Sequence, residues 1–278
     1  MSSNVRLFAD DCLLYRRINT PEDTNILQQD LLHLEEWEAK WQMSFNPQKC
    51  EILRVTNKVK HVINSSYSLH GTDLHFTNNA KYLGVTINSK LKWKPHIDIM
   101  CKKANSTRGF IQRNLHGCPR RAKEQAYMTY VRPILEYTSS VWDPYYQDQI
   151  HKIEMVQRRA ARFVMNDFHP RHSVTQMLHS LQWQPLHERR AHLKVIMVYK
   201  IIHGYIAIPP EPPYLFPTTR TTRRQYQQQR CRTTCFMNSF FPSATCLWSQ
   251  LPVSVTATPT LDQFRSQLVG VTLRQPIM

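Results

Sequence analysis

The chain has 278 residues, and its 41% apolar content is ordinary for a globular protein with a buried core, in one large domain or two small ones. Lysine and arginine number 36 against 20 acidic residues, and the net charge of +16 favours nucleic acid or an anionic surface as partner. No apolar run could span a bilayer and no secretory leader is visible, so we expect no membrane partner and a nuclear or cytoplasmic, not a secreted, protein.

Residues 1–92 predict a mixed α+β piece. Two short strands, 5–9 and 12–15, flank Asp10 and Asp11, and Thr20 followed by Pro21 marks the start of a helix. One apolar stripe of this helix is expected to face the core: Leu27, Leu31, Leu34, Trp37 and Trp41. A strand at 51–55, a hairpin around 71–73 and one further strand at 81–87 follow.

From residue 93 to 204 the pattern predicts almost only helices. We expect them at 95–115, from 119 onward with an interruption at Pro133, at 149–165, after Ser173, and at 186–203. A basic, flexible arm at 205–237 and a small tail at 238–278 follow, and the tail is expected to pack a short helix against the body. The predicted fold class is therefore α+β, a partial sheet followed by a helical bundle.

The adjacent Asp10 and Asp11 stand at the predicted tip of the first hairpin. Two carboxylates held close together repel each other, and this favours the binding of a hard cation such as Mg²⁺. An isolated pair of this kind is more often a solvated turn, so its surroundings decide the interpretation.

Three segments in a fixed order give that context: FADD at 8–11, FNPQKC at 45–50 and KYLGVTI at 81–87. Together with the helical segments and LWSQLP near the end, they resemble reverse transcriptases of non-LTR (LINE-like) retrotransposons, over roughly residues 5 to 270. The resemblance implies a partial palm at 1–92 and a helical thumb and connection at 93–204. It implies an RNA-directed DNA polymerase that, when intact, uses Mg²⁺, an RNA template and a DNA primer. In this chain we expect Mg²⁺ binding to be weak or absent.

The resemblance also implies roles for individual residues. Asp10 matches the principal metal-binding carboxylate and Asp11 its neighbour, while Lys49 matches a candidate proton donor to the departing pyrophosphate. The segment that holds the primer end is matched by Tyr82, Leu83 and Gly84. Simpler alternatives stay open, because Lys49 could be a solvated lysine and residues 82–84 a strand end packed on the thumb.

A zinc site is not expected among Cys231, Cys235 and Cys246. Their spacing has no second close Cys/His pair, and no histidine follows His203, so a tetrahedral site has too few ligands. We predict free thiols at these positions.

The family's third catalytic carboxylate comes from an earlier palm strand, and only nine residues precede Asp10 in this chain. We therefore expect a C-terminal part of the polymerase that is inactive alone, with a hairpin whose edges and apolar side chains lack neighbours. An alternative is a non-catalytic nucleic-acid-binding remnant or a co-opted binding protein. Its predicted contacts are the arm at 220–232 and Arg158, Arg159, Arg162, Arg189 and Arg190. These arginines could equally be solvated faces without a partner.

Overall fold

The structure is a computed structural model that describes residues 1–58, 60–218 and 226–273. The chain divides into two compact units, Met1–His96 and Ile97–Met278. Short two-stranded sheets and one long helix form the first unit, and helices dominate the second, in agreement with the predicted α+β class. Within the described ranges, no helix has the length and apolar character needed to cross a membrane.

Among the described residues, the first unit contains eight short strands and one long helix, and α2 begins at its end. The strands are β1 (Asn4–Phe8), β2 (Asp11–Tyr15), β3 (Glu51–Leu53), β4 (Ser68–Leu69), β5 (Thr72–Asp73), β6 (His75–Thr77), β7 (Asn79–Tyr82) and β8 (Val85–Asn88). The helix is α1 (Pro21–Trp41), and a single 3-10 turn follows it at Pro47–Lys49. Strands β1 and β2, β4 and β5, and β7 and β8 pair antiparallel, whereas β3 and β6 pair parallel.

The first hairpin forms as predicted. Phe8 pairs with Asp11, which leaves a two-residue turn of Ala9 and Asp10. Ala9 has a φ of 51°, in the left-handed region that tight hairpin turns require. No third strand joins this sheet among the described residues, and Leu7 and Phe8 are 56% and 64% exposed. The hairpin thus presents the open edges and uncovered apolar side chains that the sequence predicted.

Helix α1 begins after Thr20 because the carboxylate of Asp23 accepts hydrogen bonds from the backbone N–H groups of Asn19 (2.9 Å) and Thr20 (3.1 Å). The expectation that its whole apolar stripe faces the core is wrong at one end. Leu34 is buried, but Trp41 is 61% exposed. Trp41 is the last residue of the helix, where the apolar stripe leaves the buried side.

The predicted single strand at 81–87 is also corrected. It is a hairpin of β7 and β8, whose turn consists of Leu83 (φ 45°) and Gly84 (φ 80°). Two successive positive φ values define the turn that best matches the twist of antiparallel strands, and glycine adopts the second without steric cost. The predicted hairpin at 71–73 forms from β4 and β5, while β6 pairs with β3 instead of extending it.

The second unit consists of helices. They are α2 (Lys94–Asn114, which begins just before the unit boundary), α3 (Arg120–Ala126), α4 (Arg132–Glu136), α5 (Ser139–Trp142), α6 (Gln147–Met165), α7 (Val174–Ser180), α8 (Leu186–Ile202), α9 (Thr234–Met237), α10 (Phe240–Trp248), α11 (Val253–Thr256) and α12 (Leu261–Leu268). The helix predicted from residue 119 is interrupted just before Pro133, where a π-helical turn at Tyr127–Val131 separates α3 from α4. Such a turn carries an extra residue, which accommodates the missing N–H of the proline.

The C-terminal helices pack on α8, as the sequence predicted for the tail. Val195, Val198 and Tyr199 of α8 form one buried cluster with side chains of α10, α11 and α12. In the predicted arm, Leu215 is fully buried, and the backbone N–H of Gln227 donates to the carbonyl of Phe216 at 2.7 Å. The central part of that arm, residues 219–225, lies outside the described residues.

Candidate metal and nucleic-acid sites

The aspartate pair lies at the solvent-facing tip of the β1–β2 hairpin. Asp10 is the second residue of the turn and Asp11 the first of β2, and both side chains are exposed. Neither carboxylate forms an ion pair with any residue that the structure describes. The guanidinium of the nearby Arg6 instead donates to the carbonyl of Val5 at 2.9 Å. Both carboxylates are therefore available to a cation.

The chemistry of this pair fits a hard cation, since carboxylate oxygens are the ligands that Mg²⁺ prefers. The ligand set in this chain is small, however. Over the described ranges, no group of three or more His, Cys, Asp or Glu side chains is arranged to hold a metal ion. Asp10 and Asp11 would supply only part of a complete coordination shell.

Lys49 ends the 3-10 turn that follows α1, and its side chain is exposed. The side-chain oxygen of Asn46 caps this turn by accepting from the N–H of Gln48 at 3.0 Å. Just before it, the N–H of Phe45 donates to the carboxylate of Glu38. The FNPQKC segment is thus attached to helix α1, while the proton-transfer role of Lys49 stays a prediction.

Glu38 is the residue that sequence reasoning missed here. It is buried although it lies on a helix with many exposed charges, and Nε2 of His70 lies 2.6 Å from its second oxygen. A single carboxylate therefore joins α1, the FNPQKC segment and the β4–β5 hairpin. Its spacing of four from Leu34 is the one signal that places it on the buried side of α1.

Tyr82, Leu83 and Gly84 form the end of β7 and the turn of its hairpin. On the neighbouring strand, the backbone N–H of Thr86 donates to Nδ1 of the buried His96 at 3.2 Å, and burial lowers the pKa of that imidazole. This contact fixes β8 within the first unit. The contact between residues 82–84 and a primer stays a prediction.

Three of the five predicted nucleic-acid-binding arginines lie on α6. Arg159 is exposed and donates one long hydrogen bond of 3.5 Å to Asn105. Arg158 is half-buried and donates one of the same length to Thr175. Arg162 is less available to a ligand, because its guanidinium donates to the carbonyl of His169 at 2.9 Å and holds the loop after α6. Arg158 and Arg159 are the two that remain most available to phosphate.

Arg189 and Arg190 are held by acids. The guanidinium of Arg189 makes two hydrogen bonds to the carboxylate of Glu136. Arg190 has no exposed side-chain surface, and its Nε donates to Asp143 at 2.7 Å. The prediction that Arg190 binds nucleic acid is therefore wrong, because a phosphate cannot reach it. Its position on the buried side of α8, one turn before Lys194, decides this.

The network around Asp143 is a second feature that sequence reasoning missed. Its carboxylate is fully buried and also accepts from Nζ of Lys194 at 2.9 Å, and Lys194 donates to Oγ of Ser243 at 3.1 Å. Burial acts to raise the pKa of Asp143, but the charges of Lys194 and Arg190 outweigh it and lower that pKa.

All seven cysteines carry free thiols, and burial raises the pKa of Cys101 to about 11.

Comparison with known proteins reveals a reverse transcriptase-like region in this chain. The chain is 29% identical, over 162 residues and 56% of its length, to the probable RNA-directed DNA polymerase from transposon BS of Drosophila melanogaster. It is 32% identical, over 94 residues and 34% of its length, to the RNA-directed DNA polymerase from mobile element jockey of Drosophila funebris. The predicted resemblance to retrotransposon reverse transcriptases is thereby confirmed.

These matches cover 18% of the length of the transposon BS protein and 10% of the jockey protein. No family profile matches the chain. No solved structure matches it either.

Proposed function

We propose that this chain forms the end of the palm and the thumb of an RNA-directed DNA polymerase of a non-LTR retrotransposon. The observation that carries the proposal is the exposed pair Asp10 and Asp11 at the tip of a two-stranded hairpin. The similarity to two transposon polymerases supports the same assignment. The substrates would be an RNA template, a DNA primer and nucleoside triphosphates.

In this proposal, Asp10 and Asp11 hold Mg²⁺, which when bound would activate the primer hydroxyl and stabilise the charge of the leaving pyrophosphate. Lys49 lies on the exposed turn after α1, where its ammonium is free to donate a proton. Residues 82–84 would present the end of β7 and its turn to the primer end.

We further propose that residues 1–278 do not extend a primer by themselves. Two-metal phosphoryl transfer needs more carboxylate ligands than the two at this hairpin tip. A polypeptide segment that lies against the open edges of β1 and β2 would supply the remaining carboxylate.

A chimera tests this proposal. The chain replaces the matching region of the transposon BS polymerase, and primer extension on an RNA template is measured with Mg²⁺. We expect extension that Asp10→Ala abolishes and that Asp73→Ala, an exposed acid of β5, leaves unchanged. Equal activity of both variants would contradict the role of Asp10. Extension by residues 1–278 alone, lost in Asp10→Ala, would contradict the proposed inactivity of the isolated chain.

The second unit carries an observation that favours nucleic-acid binding without catalysis. One exposed side of α2 presents Lys102, Lys103, Phe110 and Arg113, and no acid follows Asp98 in this helix. Basic side chains beside an exposed aromatic ring suit a phosphate backbone and its bases. Arg158 and Arg159 add two further accessible cations on α6.

Binding of a labelled RNA–DNA hybrid at several salt concentrations tests this second candidate. A plot of log K against log salt concentration has a negative slope, and each lost phosphate contact should make this slope less steep by about 0.7–0.9. We expect Lys102→Gln/Lys103→Gln to reduce the slope, and Arg265→Gln, an exposed cation of α12, to leave it unchanged. Affinity that does not depend on salt would rule out this role.

A further inference from the structure

The second unit contains a cavity of about 440 Å³, and Arg189 is the one residue assigned above to metal or nucleic-acid chemistry among its described lining residues. Its wall includes side chains from the π-helical turn, from α4, from the loop before α8 and from α8 itself. The residues used below are Met128, Arg132, Gln182, Trp183, Gln184 and Arg189. A volume of this size suits a ligand as large as a mononucleotide.

The charge of the wall selects an anion. Two arginines line the cavity, and no acidic side chain does so among the described residues. One carboxylate serves both cations: Glu136 makes two hydrogen bonds to Arg189, while Nε of Arg132 lies 3.9 Å from it. Burial and the neighbouring charge of Arg189 lower the pKa of Arg132. A second anion near Arg132 would therefore relieve an uncompensated charge.

The rest of the wall suits a polar ring. The amides of Gln182 and Gln184 each offer a donor and an acceptor, which is the pattern that pairs with the edge of a nucleobase. Met128 and the largely buried Trp183 supply apolar surface beside them. The ring of Trp183 is fixed, because it stacks on Tyr127 at 4.3 Å and its Nε1 donates to Glu124 at 3.1 Å.

The backbone around the cavity is unusual at two places. Met128 belongs to the π-helical turn Tyr127–Val131, and turns of this kind occur frequently at functional sites. Gln182 has a φ of 54°, in the left-handed region that costs a non-glycine residue free energy. Both deviations shape the wall in which the arginines and amides meet.

From these features we propose that the cavity binds a nucleoside monophosphate, with the phosphate at Arg132 and Arg189 and the base between the glutamine amides. The proposal goes beyond the polymerase assignment and does not depend on it. The same chemistry could come from a free nucleotide or from an unpaired nucleotide of a single strand.

Isothermal titration of the full chain with uridine 5′-monophosphate and with uridine tests the proposal. We expect saturable binding of the nucleotide and an affinity for the nucleoside that is weaker by about tenfold or more, because the charge-assisted hydrogen bonds to phosphate are lost. Equal affinity for the two compounds, or no saturable binding of the nucleotide, overturns it.

Variants locate the site. Arg132→Gln should weaken nucleotide binding by about tenfold or more, and Arg121→Gln, an exposed arginine of α3 outside the cavity, should leave it within about twofold. If Arg132→Gln does not fold, as judged by its thermal unfolding, the exposed Gln182→Glu replaces it, and the added carboxylate should repel the phosphate with a similar loss. Equal effects inside and outside the cavity overturn the proposal.

Competition distinguishes the two sources. The concentration of a short single-stranded oligouridylate that displaces bound mononucleotide is compared, per nucleotide, with the concentration of free mononucleotide that does so. If the oligouridylate acts at the lower concentration, the ligand belongs to a strand. If the oligonucleotide competes only weakly, the ligand is a free nucleotide. In either case Arg132→Gln should weaken binding of the ligand. If it weakens binding of neither the oligouridylate nor the mononucleotide, the cavity is not the binding site.

Discussion

Nε of Arg190 lies 2.7 Å from Oδ1 of Asp143, and neither side chain has more than about one hundredth of its surface exposed. Lys194 shares the same carboxylate, so one buried anion serves two buried cations. This network joins the segment after α5 to α8 and, through Ser243, to α10. Such charges are tolerated in a core only while they remain paired.

Removal of the anion should therefore be costly. Asp143→Asn leaves Arg190 and Lys194 without a counter-charge, and we expect a loss of about 3–5 kcal/mol in the free energy of unfolding. Urea unfolding followed by circular dichroism measures it. The matched control is Asp262→Asn, a fully solvated acid of α12, which should change stability by less than about 0.5 kcal/mol. Equal effects of the two substitutions would contradict the structural role of the pair.

The same network gives a pH dependence with a definite sign. Because the pKa of Asp143 is lowered from its ordinary value of 3.8, its contribution to stability is fully present above that value and is lost as the pH falls through the folded-state pKa. Acid unfolding of the wild type should therefore steepen below about pH 4. Asp143→Asn should lose less stability than the wild type as the pH falls below about 4. If the variant loses as much stability with acid as the wild type, the proposed contribution of Asp143 is wrong.

A second pair, His187 and Glu154, gives a pH dependence of the opposite sign. Nδ1 of His187 lies 3.2 Å from Glu154, whose hydrogen bond raises the pKa of the imidazole above 6.5. The stabilisation is therefore present below pH 6.5 and is lost as the pH rises through the folded-state pKa. We expect Glu154→Gln to lower the His187 pKa measured by NMR. Glu188→Gln removes only a nearby charge and should shift it less, so equal shifts would refute the pairing.

Two glycines should respond to alanine in opposite directions. Gly84 has a φ of 80° in the β7–β8 turn, and Gly84→Ala should destabilise the protein by about 1 kcal/mol. Gly109 lies inside α2, where an added Cβ would meet only the end of Arg113 at 3.5 Å. Gly109→Ala should therefore stabilise by about 0.5–1 kcal/mol. Thermal unfolding of both variants checks this, and a shared sign would show that one of these backbone assignments is wrong.

Asp30 attaches the start of the chain to α1. Its buried carboxylate accepts from the N–H groups of Ser2 (2.9 Å) and Ser3 (2.6 Å). Burial acts to raise its pKa, but these contacts with Ser3 and Ser2 lower it to about 2. The attachment should thus hold above pH 3.8 and fail as the pH approaches about 2.

Hydrogen–deuterium exchange of the β1–β2 hairpin reports on this attachment. Asp30→Asn weakens two charge-assisted hydrogen bonds, each worth about 1.5–3 kcal/mol, and should speed exchange of residues 1–15. Asp73→Asn, an exposed acid of the same unit, should leave exchange there unchanged. Unaltered exchange in Asp30→Asn would show that the hairpin is held by other contacts.

Local signals in the sequence predicted the elements that depend on nearby residues. Thr20 and Asp23 mark the start of α1, and the apolar spacing in α6 places Ile153 and Val156 in the core. The turn at Leu83 and Gly84 was missed because one glycine within an apolar run resembles an uninterrupted strand. Asp30 and Glu38 were missed because a buried acid has the same local pattern as an exposed one until its partners are known.

The sequence alone predicted the resemblance to retrotransposon reverse transcriptases, through the order of FADD, FNPQKC and KYLGVTI, and two transposon polymerases match part of the chain. It also determined most helices, since periodicity and caps act within a few residues. Only the tertiary structure decided which charges are available. Arg158 and Arg190 look alike in sequence, yet one is accessible and the other is buried against Asp143. That difference depends on contacts between residues 47 positions apart, which no local pattern encodes.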